Sequence, residues 1–301
     1  MVLKSVAKVL ILEGVLLLLP FVVSIIYGES AKWAFLITAG ICVAAGLPFV
    51  LLIKPSSTLV YSREGFVTVA LGWIAASLFG ALPFVISKDI PSYIDALFET
   101  VSGFTTTGAS ILNDVEALSK GALFWRSFSH WIGGMGLIVF IVAISKGGDR
   151  SIHVLRAEMP GPTVDKIAPR SKDTAIILYL IYVAMTAVEV IMLLLGKIPF
   201  FDALLHSFGT AGTGGFGIRN DSLAGYSPYI QWVVAVFMVL FSVNFNCYYL
   251  ILVGKAKNVL KYTEFLTFIG IVLAAVAAIT VNVYSVYELS LIHISAPTRL
   301  L

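Results

Sequence analysis

Thr105-Thr106-Thr107-Gly108 and Thr213-Gly214-Gly215 carry the residue types that can hold a bare cation without a charged ligand. Sites of that kind replace water with backbone carbonyls. Turning carbonyls toward one axis takes dihedrals that glycine adopts without steric cost. Threonine adds a small hydroxyl that satisfies neighbouring backbone groups or faces water. The two segments stand in matching frames, Ile94–Ser110 (IDALFETVSGFTTTGAS) and Phe201–Gly217 (FDALLHSFGTAGTGGFG). Asp95 matches Asp202, Thr106 matches Thr213 and Gly108 matches Gly215, all at an offset of 107 (202 minus 95). One such loop is an ordinary turn; two in register point to a common task.

Each loop follows an apolar run too short to cross a bilayer, which predicts a short helix. In the first copy Ser92 caps a helix over residues 92–104, and Asp95 and Glu99 share a face at i, i+4. The C-terminal end of such a helix presents about half a negative charge, which stabilises a dehydrated cation. His206 occupies the position matching Glu99, as a pH sensor or, more plainly, a hydrogen-bonded pore-helix side chain. Irregular backbone at membrane depth is tolerated only where it lines a cavity or is buried in protein.

The surrounding chain is built for a bilayer. Of 301 residues, 59% are hydrophobic and 12% charged, with mean hydropathy +0.97. Soluble domains hold about a quarter charged residues. Runs near the roughly 20 residues of a membrane crossing fall at Val6–Tyr27, Trp33–Ile53, Phe66–Ser87, Ala122–Ser145, Thr174–Leu195, Tyr229–Val253 and Phe265–Tyr284. Alternation of the β-barrel kind is absent from these runs. The net charge of +3 is too small to imply nucleic acid, and Cys42 and Cys247 lie inside apolar runs, which suggests neither disulfide nor metal site. No nucleophile–base set or phosphate-binding loop occurs, so enzyme chemistry has no support.

Basic residues set the expected orientation, because short basic loops stay cytoplasmic. One side collects 13 (Lys4, Lys8, Lys54, Arg63, Lys146, Arg150, Arg156, Lys166, Arg170, Lys172, Lys255, Lys257, Lys261) and the other 5 (Lys32, Lys88, Lys120, Lys197, Arg219). That split requires both Thr/Gly stretches to re-enter from outside, with a cytoplasmic N-terminus. The repeats then run parallel, unlike the inverted repeats of many carriers.

Other residues are ambiguous in one dimension. Gly133, Gly134 and Gly136 serve close helix packing or a gate or hinge below the loops. Asn244, Phe245 and Asn246 make the sixth run unusually polar, with Asn244 a gate or hinge candidate. Ser127, Ser129 and His130 give the fourth run a polar face. Arg126 snorkels or pairs with a carboxylate. Glu13 sits at the interface or finds a partner in the bundle, and Glu189 needs a partner that the sequence does not name.

At these residues the chain resembles the Trk/Ktr/HKT superfamily of potassium transporters, in particular the bacterial TrkH-like pore subunit. The carrying motifs are SGFTTTGAS (Ser102–Ser110), FWRSFSHWIGGMGLIV (Phe124–Val139), AGTGGFG (Ala211–Gly217) and VNFNCYY (Val243–Tyr249), and the likeness covers about residues 1–285. It implies an all-α polytopic membrane protein, a helical hairpin followed by potassium-channel-like helix–pore loop–helix repeats. It also implies K⁺ on the carbonyls of Thr106, Thr107, Thr213 and Gly214, filter glycines Gly108 and Gly215, and no covalent cofactor. Further implications are a homodimer in the bacterial cytoplasmic membrane and a cytosolic nucleotide-binding regulatory subunit resembling TrkA.

The expected divisions are a hairpin and turn (1–64), a first pore repeat (65–146), a connector (147–172), a second repeat (173–254), the first helix of a third (255–288) and a tail (289–301). That tail, LSLIHISAPTRLL, resembles a translated adapter or frameshift and suggests a truncated reading of a longer gene. With two of four coordinating segments, these 301 residues alone are expected not to conduct. Two other readings stay open: a secondary transporter of another small solute, and a non-transporting membrane scaffold.

Overall fold

A computed structural model describes residues 2–53, 62–136 and 171–287. Most of the turn at 54–64, the inner end of the fourth run, the connector and the tail lie outside the described residues. All regular elements among the described residues are helices, as a lipid environment demands of backbone that must satisfy its own hydrogen bonds.

The N-terminal hairpin is α1 (Val2–Leu16) and α2 (Leu18–Ile26), together one span, then α3 (Lys32–Leu52). Pro20 explains the interruption at Leu17, since it has no N–H to return to the preceding turn and its ring crowds that turn's carbonyl. The third span is α4 (Ser62–Gly80) and α5 (Leu82–Ser87), broken ahead of Pro83 as the sequence suggests. The Gly80 carbonyl at the end of α4 accepts from Trp125 Nε1 at 2.9 Å. The short α6 (Tyr93–Phe104) has Ser92 at its cap, the hydroxyl accepting from Asp95 N–H at 3.4 Å.

α7 (Lys120–Met135) is the described part of the fourth run, and α8 (Ser171–Leu195) is the fifth span. The second short helix is α9 (Phe200–Ala211). One expectation needs correction. Tyr229–Val253 is not one straight span but α10 (Pro228–Ser242) and α11 (Phe245–Leu252), bent by 89° between them. The Asn244 side chain causes the break to hold: it accepts from Asn246 N–H at 3.0 Å and caps the new helix in place of a continuing ladder. A short turn, α12 (Ala256–Val259), leads to α13 (Thr263–Tyr287), an apolar span.

The main core is aromatic. Trp125, Phe104, Phe124 and Phe128 pack with Phe35 and Phe84 where hairpin, first unit and α7 meet. The hairpin also caps α7 directly. The Glu29 carboxylate accepts from the N–H groups of Lys120 at 2.7 Å and Gly121 at 3.1 Å, two donors with no partner inside their own helix. Gly121 has no room for a side chain, because a Cβ would overlap Ser24 Oγ. Glu29→Ala is expected to lower stability by about 1 kcal/mol, read as a lower thermal midpoint of the purified protein, with Glu29→Gln recovering part of it.

Glu13 answers neither expectation. It is 1% exposed, beside Gly80, and neither carboxylate oxygen has a hydrogen bond among the described residues. Glu189 is likewise buried, and neither oxygen has a partner within hydrogen-bond geometry among the described residues.

Candidate functional site

The duplicated stretches end in duplicated backbone. Behind α6 the chain closes with Thr106 N–H to the Gly103 carbonyl at 3.0 Å and Thr107 N–H to Ser102 at 2.9 Å. Behind α9 the bonds are Thr213 N–H to Thr210 at 2.8 Å and Gly215 N–H to Gly209 at 3.2 Å. Positive φ then falls on Thr106 (55°) and Gly108 (74°) in one loop, and on Thr213 (57°) and Gly215 (74°) in the other. A β-branched residue with positive φ is a genuine outlier, costing about 1–3 kcal/mol and persisting only where its surroundings over-determine it. Two such threonines stand at matched positions of the two loops. An extended chain points successive carbonyls to opposite sides; a positive φ at every second residue lets them face one way.

The two loops touch. A Cβ built on Gly108 would overlap the Gly214 carbonyl oxygen of the other loop, and one on Gly214 would come 2.8 Å from the Thr106 carbonyl oxygen. α7 is wedged against both. A Cβ at Gly133 would strike the Phe104 carbonyl, and one at Gly134 would stand 2.9 Å from the Ala211 carbonyl. His130, fully buried, sets its ring edge against Phe216 at 4.2 Å and lies against Gly212 and Gly214. His206 packs edge-on against Tyr226 at 5.0 Å.

Of the residues that the sequence singles out, Thr106, Gly108 and Gly214 meet directly, while Thr105 and Thr107 join their hydroxyls at 2.9 Å. Thr213 and Gly215 hold the matching places in the second loop. Gly133 and Gly134 bear on the two loops, and Gly136 ends α7 with φ 82°. Asn244 stands apart from the loops. It lines a cavity of about 550 Å³ whose walls include Thr105, Gly133, Gly134, Gly136 and Ser242. Its amide donates to Glu264 Oε1 at 3.1 Å, tying the break to the start of α13.

Sequence reasoning missed a pairing that the fold makes plain. Arg126 Nε donates to Glu99 Oε2 at 2.7 Å, and both side chains are almost wholly buried. Glu99 Oε1 accepts from Ser110 Oγ and Ile111 N–H, each at 2.7 Å. Arg126 also donates to the Gly217 carbonyl at 2.9 Å and lies over the Phe216 ring at 3.7 Å. Arg126 therefore pairs with a carboxylate and does not snorkel. The signal in the sequence was an intramembrane arginine, which needs a counter-charge; with Glu13, Glu99 and Glu189 on offer, spacing alone does not choose.

Further out, a second set of bonds joins the segments after the loops. Asn220 Nδ2 donates to Asp114 Oδ1 at 2.9 Å, and Val115 N–H donates to Asn220 Oδ1 at 2.8 Å. The Asn220 bond holds the exposed Asp114 carboxyl below its usual range.

Fold and site define an all-α polytopic membrane protein in which two short helices deliver irregular, strained loops to one place. The chain belongs to the TrkH family of cation transport proteins, whose model matches residues 32–295. It is 37% identical over 296 residues to the Trk system potassium uptake protein TrkH of Salmonella typhimurium, covering 96% of this chain and 61% of that protein. Against TrkH of Escherichia coli K12 the figures are 36% over 292 residues, 94% and 60%. Among solved structures, the potassium transporter TrkH from Vibrio parahaemolyticus superposes with a TM-score of 0.83 at 29% identity, over 99% of this chain and 62% of that one. The chain thus spans roughly three-fifths of the length of these relatives.

Proposed function

We propose that this chain forms part of the pore of a potassium uptake system in the bacterial cytoplasmic membrane. The loops 105–108 and 213–215 are its selectivity filter. K⁺ is the transported substrate, held by the carbonyls of Thr106, Thr107, Thr213 and Gly214, with Thr105, Gly108 and Gly215 shaping the loops. One observation carries the reading: positive φ recurs at the same two positions of both copies, Thr106/Thr213 and Gly108/Gly215, where the loops meet. Gly133, Gly134, Gly136 and Asn244 around the cavity make the gate or hinge region, since a break of 89° can change the cavity's width by rotating about few residues.

The hairpin, two pore repeats and the start of a third follow the boundaries given above. The N-terminus is cytoplasmic by the basic-residue bias. A homodimer and a nucleotide-binding cytosolic partner like TrkA belong to the same reading, on the strength of the family likeness.

The test is K⁺ flux into vesicles carrying the intact gene product that contains this sequence. Saturable K⁺ entry that Thr106→Ala and Thr213→Ala both disturb is the expected result. A scaffold would give no flux above empty vesicles. A carrier of another solute would keep its substrate profile in both variants.

A further inference from the structure

We infer that the Glu99–Arg126 pair is a positioning clamp that sets the spacing of the two loops and thereby the preference among monovalent cations. The inference rests on the filter reading above and adds a specificity-determining pair outside the loops.

Each loop leaves the pore helix through a fixed C-terminal turn, so its inner end is anchored by backbone bonds. Its outer end needs a second anchor. Glu99 supplies one by holding Ser110 and Ile111, two and three residues past Gly108. Arg126 supplies the other by holding the Gly217 carbonyl and stacking on Phe216, the two residues that follow Gly215. The 2.7 Å bond between the two side chains joins these anchors into one unit. A shift of Arg126 therefore moves both loop exits together.

The second copy has no such pair. At the offset of 107, Glu99 maps to His206 and Arg126 to Val233. One ion pair serves two loops, which is why Arg126 reaches across to Gly217. Burying two charges is costly, and a well-packed apolar pair is often as stable. The surplus that an ion pair adds here is directional: the planar guanidinium can meet carboxylate, carbonyl and ring in a fixed geometry. Filter selectivity depends on the number, field and spacing of carbonyls around the ion, so a clamp at both exits acts on preference without touching the ion.

The experiment compares K⁺ and Na⁺ uptake by the intact gene product with Glu99→Met/Arg126→Met, which removes both charges and leaves neither unpaired. The expected result is a folded protein that still moves K⁺ but whose K⁺-over-Na⁺ preference falls about tenfold. Arg126→Lys, which keeps the ion pair and loses the fork to Gly217, should recover part of it. Ser110→Ala removes one exposed strut from Glu99 with little risk to folding, and a smaller fall in the same direction is expected. A folded double variant with unchanged preference overturns the clamp; if the double variant does not fold, an unchanged preference in Ser110→Ala overturns it instead. In either case the filter reading survives. An unsubstituted protein that moves no K⁺ overturns both.

Discussion

Gly108→Ala should reduce K⁺ uptake about a hundredfold or more, and Gly215→Ala by no more than about tenfold. Both glycines have φ 74°, so each alanine carries the left-handed penalty of about 1–2 kcal/mol. Their surroundings differ. A Cβ on Gly215 meets only the flexible end of Met238, at 3.1 Å. A Cβ on Gly108 overlaps the Gly214 carbonyl, which is backbone of the opposite loop and has nowhere to go. Overpacking of that kind adds about 1–3 kcal/mol, and the atom displaced is itself a proposed K⁺ ligand. Initial uptake rates for the two variants at matched expression decide the matter. Equal effects would mean that the two loops do not meet at Gly108 and Gly214.

Arg126→Met should cost about 3–5 kcal/mol of stability, the penalty for leaving a buried charge without its partner. Glu99 would keep Ser110 and Ile111 as donors but lose the cation paired with it. Glu99→Met should cost at least as much. The Arg126 guanidinium left behind, with the Gly217 carbonyl and the face of Phe216, cannot lose its charge, whereas a stranded Glu99 can take up a proton. Thermal unfolding of the two proteins in the same detergent gives the order directly. If Arg126→Met unfolds at the midpoint of the unsubstituted protein, the pair is not buried as described.

The two units are also unequal in how they are supported. The first leans on the hairpin, through Glu29 at the N-terminus of α7 and through Phe35 and Trp125 in the core. The second has its own core of Tyr182, Leu193, Ile230 and Phe237. Damage to the hairpin should therefore reach the first loop before the second.

Composition placed the chain in a bilayer, and long apolar runs without alternation decided for helices over a closed barrel, the two ways a backbone satisfies itself in lipid. Period and repetition went further. Asp95 and Asp202, Thr106 and Thr213, Gly108 and Gly215 announce two copies of one unit, because glycine and capping residues are local demands of the backbone, readable one segment at a time. Ser92 as a helix cap belongs to the same group. What no segment contains is the partner from elsewhere in the chain. The sequence does not say that Arg126 chooses Glu99 over Glu13 or Glu189, that Gly108 lies against Gly214, or that the sixth run turns by 89° at Asn244. Those facts depend on which surfaces face each other after packing, and charge and close contact act through space, whereas sequence spacing records only distance along the chain.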